Sequence, residues 1–475
     1  MEDEIVVKVP VACKCLVESI NKLTRAVASR AESARGGGEA VDYLAWEQEV
    51  SRLTAAVECA AHECTLEAME VDTPRVEIGG EIYSRIGVGK GRYYSLGGPV
   101  EIERALYRKL GVRNAPVVDA ISLRAGVVGD GWLPMTARSM AHSLQRGTSR
   151  EAEQAAKESG RLPYSRASFE RVAHEVGTLY VEHRADIEDE LMQSLKVPPS
   201  ACSISVSLDR ASLPMEEPIK RSPGRPAKNA PKIKRVFHMA FCGTVTVHDA
   251  EGEALHTIRF GQMPALDPHD LCTAMSNAVY RLREKNSALQ LTLLADGAHE
   301  MWNLLEDHLP VEAFGKRHRL VDFYHLIEKL HPAAVAIHGS DEAKAILKRW
   351  KTLLKRRKNA ASEILDELKR PGCEEIGGSK EDRPVHSAIT YLTNHAERMN
   401  YAGARAKGLP IGSGNVEATC KTLVGLRMKR PGARWKEATG EHILKLRALA
   451  VSDLWDAALT QLMRTQRTAV RGIAA

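Results

Sequence analysis

Several features are scarce or missing, and each absence narrows the possibilities. No run of roughly 18 or more apolar residues occurs, so no segment reads as a membrane-spanning helix. The opening stretch MEDEIVVKVP is acidic and has no basic lead into an apolar core, so it does not read as a secretory signal, and a cytoplasmic setting is expected. Nine cysteines are present but no matched pair of C-x-x-C knuckles. Cys13 and Cys15 form C-x-C, and Cys59, His62 and Cys64 form C-x-x-H-x-C inside AAVECAAHECTLEAM, which reads as helix. Such irregular spacing calls for no structural zinc and leaves open whether this group binds a metal. The expected state is small buried thiols in a reducing compartment, with Cys202, Cys242, Cys272, Cys373 and Cys420 scattered. Aromatic residues are few, at 5 %, in an otherwise ordinary soluble composition. With 475 residues the chain has room for two or three domains, each with its own core.

Strong charge of one sign is missing too, since the net charge is only +6. The distribution is more telling. KRSPGRPAKNAPKIKR (220–235), KRWKTLLKRRK (348–358) and RMKRPGARWK (427–436) are strongly basic. Clustered Lys and Arg suit a polyanion, with phosphate contacts dominating the binding. A solvated helix face is the alternative for 348–358.

Residues 1–75 read as helices broken by SARGGGEA, and 76–115 as a small β-hairpin or meander punctuated by Gly79-Gly80 and Gly97-Gly98. From 116 to 200 the pattern is helical, with Phe169, Val172, Val176 and Leu179 on one face. This region fits either a helix-turn-helix or a plain helical hairpin.

The centre of the chain, 201–330, carries the clearest pattern. CSISVSL alternates and reads as a strand ending at Asp209; VFHMAFCGTVTV and EALHTIRFG read as a hairpin around DAEGE. Asp267-Pro268 starts a helix whose apolar stripe is Leu271, Met275, Ala278 and Leu282. LQLTLLAD reads as a strand ending at Asp296, a short helix with Trp302 follows, and HRLVDFYH (318–325) reads as a fifth strand. Strand, strand, strand, helix, strand, helix, strand is the order of a ribonuclease-H-like α/β core with helices on both faces of a mixed sheet. Residues 331–405 read as a helical insertion, and 406–475 as the second part of the core with C-terminal helices.

Asp209 and Asp296 each end an apolar strand, where side chains escape the core. On neighbouring strands the two carboxylates would repel, and a divalent cation relieves that repulsion. Oxygen-only ligation with open positions suits Mg²⁺. Glu417, in the first turn of the helix after IGSG, would complete a site for two ions roughly 3.5–4 Å apart. Plainer readings exist for each acid: Asp296-Gly297 as a turn, Glu417 with Lys421 as a surface ion pair, Asp209 as a loop cap.

Four blocks, LLADGAHEMWNLLEDHLP, RLVDFYHLIEKL, YLTNHAERMNYAGARAKGLPIGSGNVEATCK and LVGLRMKRPGARWKEATGEHILKLRAL, resemble those of the ISKra-type DDE transposases of bacterial insertion sequences, distant relatives of the Mutator-like enzymes. The resemblance spans roughly 200–460 and is looser at GRYYSLGGPVEIERALYRK; IGSG-x-x-E followed by R-M-K-R-x-G-x-x-W is its most specific part. It implies an interrupted ribonuclease-H-like domain in which Asp209, Asp296 and Glu417 hold two Mg²⁺ ions, with Mn²⁺ as a substitute. It further implies that D-F-Y-H (Asp322 and His325) matches a D-x-x-H element. His325 then either orients the scissile phosphate or donates a proton, unless it is simply satisfied at a strand end. One departure is Arg210, where the family usually has a small residue.

The resemblance implies double-stranded DNA partners, the terminal inverted repeats and a target, handled by a homodimer or larger homo-oligomer in a bacterial cytoplasm, nucleoid-associated when bound. Arg225 is the arginine of a Gly-Arg-Pro AT-hook core flanked by Arg221 and Lys228, a segment that reads equally as a flexible loop. Arg427, Lys429, Arg430 and Arg434 are candidate phosphate contacts. Trp435 fits either stacking on an unpaired base or anchoring the last helix. The competing functions are a ribonuclease-H-like nuclease and an inactive or domesticated DNA-binding derivative.

Overall fold

The computed structural model describes residues 8–35, 40–219, 233–370 and 383–473. In chain order its strands are β1 (Arg75–Ile78), β2 (Glu81–Tyr94), β3 (Pro99–Lys109), β4 (Val117–Val118), β5 (Ser203–Pro218), β6 (Ile233–His248), β7 (Ala254–Gln262), β8 (Gln290–Ala295), β9 (Arg317–Val321) and β10 (Val470–Ile473). Two compact units emerge: Met1–His183 with Asp456–Ala475, and Arg184–Trp455.

In the first unit the expected hairpin is the centre of a five-stranded antiparallel sheet ordered β10-β1-β2-β3-β4. Tyr93, Val100 and Ile102 pack with Leu66 of the helix Tyr43–Glu67. The last strand, β10, lies in a segment expected to be helical. Cys15 and Cys64 are joined as a disulfide between the helices Lys14–Arg35 and Tyr43–Glu67. That corrects the expectation of buried free thiols, which holds for Cys242 and Cys272 while Cys202 is exposed. Cys373 lies outside the described residues. Helices Pro134–Arg146, Ser149–Ser159 and Arg166–Glu182 follow, the second started by a Thr148/Glu151 capping box. Phe169, Val172 and Val176 of the third are buried as their spacing predicts.

In the second unit the sheet order is β7-β6-β5-β8-β9. The first three strands run antiparallel, and β8 and β9 join in parallel. Both faces of β5 are buried from Ser203 to Leu208, as a strand covered by helices on each side requires. One cover is the helix Pro268–Lys285, capped by Asp267 and with Leu271, Met275, Ala278 and Leu282 all buried. On the other face, Ala211, Leu213 and Met215 pack with Val416, Leu423 and Leu444 of the helical segments 414–428 and 437–451.

Two strand boundaries differ from expectation. β5 does not end at Asp209 but continues to Pro218, paired throughout with β6. Pro214 is tolerated there because β8 has already stopped, leaving that edge without a ladder partner that needs its N–H. Trp435 takes the vacant edge: its N–H donates to Pro214 O (3.1 Å) and its carbonyl accepts from Glu216 N (3.0 Å). Likewise β9 ends at Val321, not at His325, because Asp322 caps the helix Phe323–Arg356. That helix, broken at Gly339, packs with helices Ala360–Leu368, Pro384–His395 and Tyr401–Arg405. Their shared core includes Leu330, Trp350, Leu354 and Leu392, and it reaches the sheet at Leu294 and Leu320.

Candidate active site

The parallel register of β5 and β8 runs from Ser203↔Gln290 to Ser207↔Leu294. Two residues further along both strands, Asp209 and Asp296 come close enough to repel at the carboxyl end of β8. Gly297, at φ +104°, turns the chain out of the sheet. Asp296 Oδ1 accepts from Ala298 N (2.9 Å), an Asx turn that leads into the helix His299–His308. Asp209 Oδ1 accepts from Arg210 N (2.6 Å), while Cys420 Sγ donates to its Oδ2 at 3.6 Å. Burial pushes the Asp209 carboxyl above the usual carboxylate range, and repulsion from Asp296 adds to it; the Arg210 N–H, Cys420 and His325 pull the other way. Arg210 points its guanidinium at Glu300 (2.6 Å), on the helix that follows Asp296.

Glu417 does not join the two aspartates. Its side chain is 64 % exposed and pairs with Lys421 at 2.6 Å, the surface ion pair its spacing allowed. Its helix nevertheless covers the right face: Cys420, one turn onward, is the residue that touches Asp209. At Cys420–Gly425 the helix widens into a π turn, a distortion frequent at functional sites. Among the described residues, no group of three or more His, Cys, Asp or Glu side chains gathers to hold a metal ion.

The D-x-x-H element has a structural explanation. Asp322 is buried, and its Oδ1 accepts from His325 N (2.6 Å), so the spacing of three is an N-cap. Its Oδ2 accepts from Ser413 Oγ (2.8 Å) and Ser413 N. Asp322 therefore fixes the IGSG loop from which the Glu417 helix departs. The His325 ring is about one third exposed, lies 3.7 Å from Glu328 and is close enough to Asp209 to favour its charged form.

Sequence reasoning missed Tyr391 and His395, both on the helix Pro384–His395. Tyr391 Oη donates to Asp296 O at 2.5 Å. A Cβ at Gly297 would lie 2.9 Å from His395 Nε2 and 3.0 Å from Tyr391 Oη, so the aspartate turn needs glycine for close approach as well as for its positive φ. His395 is buried, its Nδ1 has no hydrogen-bond partner among the described residues, and burial followed by Arg398 and His299 lowers its pKa. Burial, then Asp296, pushes the Tyr391 hydroxyl far up, so it stays a donor. The legible signal was the spacing of four in Y-x-x-x-H, which sets both side chains on one helix face.

The candidate DNA contacts divide. Arg221, Arg225 and Lys228 lie outside the described residues. Arg427 is buried with its guanidinium 5.0 Å from the Trp435 ring centre, and Trp435 Nε1 donates to Met428 O (3.0 Å). These contacts anchor the segment against β5, the second of the two readings that the sequence left open for Trp435, which is only partly buried. Lys429 and Arg434 are exposed, and Arg430 Nε reaches Leu426 O at 3.4 Å.

No known family model and no curated protein matches this chain. Among solved structures it is similar to the Drosophila P element transposase strand transfer complex, at 14 % identity over 69 % of this chain and 79 % of that one, with a TM-score of 0.26. A superposition that loose bears on neither fold nor function. No described helix is long and apolar enough to cross a membrane.

Proposed function

We propose that this chain is a bacterial DNA transposase of the ISKra type, whose ribonuclease-H-like core, interrupted by helices 323–405, cuts and joins DNA at the ends of an insertion sequence. The observation that carries the reading is the meeting of Asp209 and Asp296 on adjacent parallel strands, both half-buried, with burial and then Asp296 raising the cost of ionising Asp209. Unrelieved acid pairs of this kind are unusual unless a cation or a proton is shared.

The donor set fits a divalent cation in part. Asp209 and Asp296 each keep one carboxylate oxygen not engaged by a backbone N–H. Glu417 joins them only once its carboxylate leaves Lys421. When bound, two Mg²⁺ ions, or Mn²⁺ in their place, would supply charge neutralisation and a more acidic attacking hydroxyl. For the rest, the chain's own groups act. Asp322 holds the loop from which the Glu417 helix departs, Tyr391 holds the Asp296 turn with His395 close against Gly297, and His325 is available to orient the scissile phosphate or to pass a proton. Inverted terminal repeats and target duplex are the proposed partners, engaged by a homodimer or larger assembly.

Strand transfer with Mg²⁺ on a fragment carrying the element's ends tests this reading. Asp209→Asn, Asp296→Asn and Glu417→Gln should each remove product and leave DNA binding largely intact; full activity in any of them removes that residue from the mechanism. The exposed Glu417–Lys421 pair favours a second reading, an inactive derivative that only binds DNA, and wild-type protein without product but with retained binding would select it.

A further inference from the structure

The basic run 348–358 is unused by the site described above. It occupies the second half of the helix Phe323–Arg356 and a short turn beyond. Leu347, Trp350 and Leu354 face the core, which leaves Lys348, Thr352 and Arg356, spaced by four, on the opposite side. These three residues line a shallow, open cleft of about 520 Å³, formed between side chains of this one helix and its C-cap. A second cleft, of about 430 Å³, is lined by Lys358, the neighbour in sequence of Arg357, with Arg317, His318 and Lys407; its one acid, Glu397, pairs with Arg319. Arg349 is offset by Glu367 and Arg357 by Glu363. Lys348, Lys351, Arg356 and Lys358 are exposed and pair with no acid among the described residues. Burial, then Lys407 and Lys316, lowers the His318 pKa, as expected for a cleft with an excess of positive charge.

We propose that this double cleft seats the phosphate backbone of double-stranded DNA. A solvated charged face ordinarily pairs its cations along the helix. Here Lys348, Lys351, Arg356 and Lys358 stand close together along the chain with no acid paired to them among the described residues. From Lys348 to Arg356 is eight residues, about 12 Å of helix at a rise of ~1.5 Å. Duplex DNA carries one phosphate per roughly 3.4 Å along each strand, so that length spans several charges. Thr352, midway, donates its hydroxyl to Lys348 O at 2.9 Å, so the two cations on either side of it are the phosphate contacts. The choice of DNA over another polyanion rests on the transposase reading; the seat itself does not.

Binding of the full-length protein to a fluorescent duplex of about 30 base pairs, in EDTA and across a salt series, tests the proposal without any chemistry. Each phosphate contact contributes about 0.9 to the slope of log K against log salt. Lys348→Gln with Arg356→Gln should therefore reduce the slope by about 1.8, and weaken binding roughly 30-fold near 0.15 M salt by the same relation. A slope equal to that of wild type overturns the proposal, as does displacement by duplex RNA but not by unlabelled duplex DNA. Should the double variant unfold, acetylation of the wild-type protein decides: Lys348 and Lys358 should be protected by duplex DNA, and equal modification with and without it overturns the seat. Asp209→Asn should lose strand transfer and keep the full slope, so failure of the reaction and failure of the seat are separate results.

Discussion

Asp209 occupies a position that is unfavourable for an ionised acid. Burial and the neighbouring Asp296 both favour its protonated form, so its folded pKa lies above the unfolded value, about 3.9. For a carboxylate shifted in this direction, the folded state binds the proton more tightly than the unfolded state. Stability is then greatest at low pH and falls as pH rises through and beyond 3.9, and at neutral pH the charged group is a net cost. Asp209→Asn removes the charge and keeps an oxygen for the Arg210 N–H. In EDTA at pH 7 it should raise the thermal midpoint, by ~2–4 °C for each kcal/mol of relieved repulsion. The gain should shrink as pH falls and the wild-type carboxyl takes up its proton. A midpoint equal to or below that of wild type at pH 7 would mean that the acid pair is not strained. Glu417→Gln is the contrast: an exposed ion pair is worth about 0–1 kcal/mol, so its midpoint should hardly move. A carboxylate whose removal stabilises the protein is kept for something other than folding, and melting curves separate it from one that is merely exposed.

Between residue and whole chain, the decisive element is the helix Pro384–His395, which latches the Asp296 turn through Tyr391, with His395 close against Gly297. Tyr391→Phe keeps the ring and deletes one hydrogen bond, a loss of about 0.5–1.5 kcal/mol. If that bond positions the carboxylate, strand transfer should fall by about 10-fold, near the upper end of that range, with DNA affinity unchanged and a higher Mg²⁺ requirement. A fall in affinity equal to the fall in activity, with an unaltered Mg²⁺ requirement, would mark a purely structural contact. No local pattern announces this latch, because Tyr391 and Asp296 are 95 residues apart along the chain. What the sequence made legible was what period and caps encode: the alternation leading to Asp209, the Asp267 cap and the stripe from Leu271 to Leu282. The strand after Asp209 was obscured by Pro214, whose tolerance depends on where β8 stops. The end of β9 was obscured because Asp322, within an apolar stretch, reads as strand until its bond to the His325 N–H is seen. The disposition of Glu417 was left open by its spacing, since a helix start serves an ion pair and a metal ligand equally well.

At the scale of the molecule, the two ends of the chain meet in one unit. β10 completes the N-terminal sheet by pairing with β1, Val470 to Ile78 through Ile473 to Arg75. Ahead of it, the helix ending at Thr465 buries Leu459, Leu462 and Met463, and Thr468 N donates to Leu123 O at 2.9 Å. Each such apolar side chain is worth ~1.5–3 kcal/mol of burial, an upper bound because the unfolded chain is itself partly collapsed. Three of them, plus a lost strand, are comparable with the ~5–15 kcal/mol that holds a typical domain together. Deleting 456–475 should therefore loosen the N-terminal sheet, while the second unit, which ends at Trp455, keeps its own core. Hydrogen exchange read by mass spectrometry distinguishes the outcomes. Peptides from 75–109 should lose protection in the truncated chain, and those from 203–215 and 290–295 should keep it. Unchanged protection at 75–109 would show that the sheet stands without its last strand; equal loss in both sets would show that the two units fold as one. In the expected case, a chain truncated at 455 retains Asp209, Asp296 and Glu417 in a folded unit, and any loss of DNA recognition in that variant is then assigned to the N-terminal sheet and its helices.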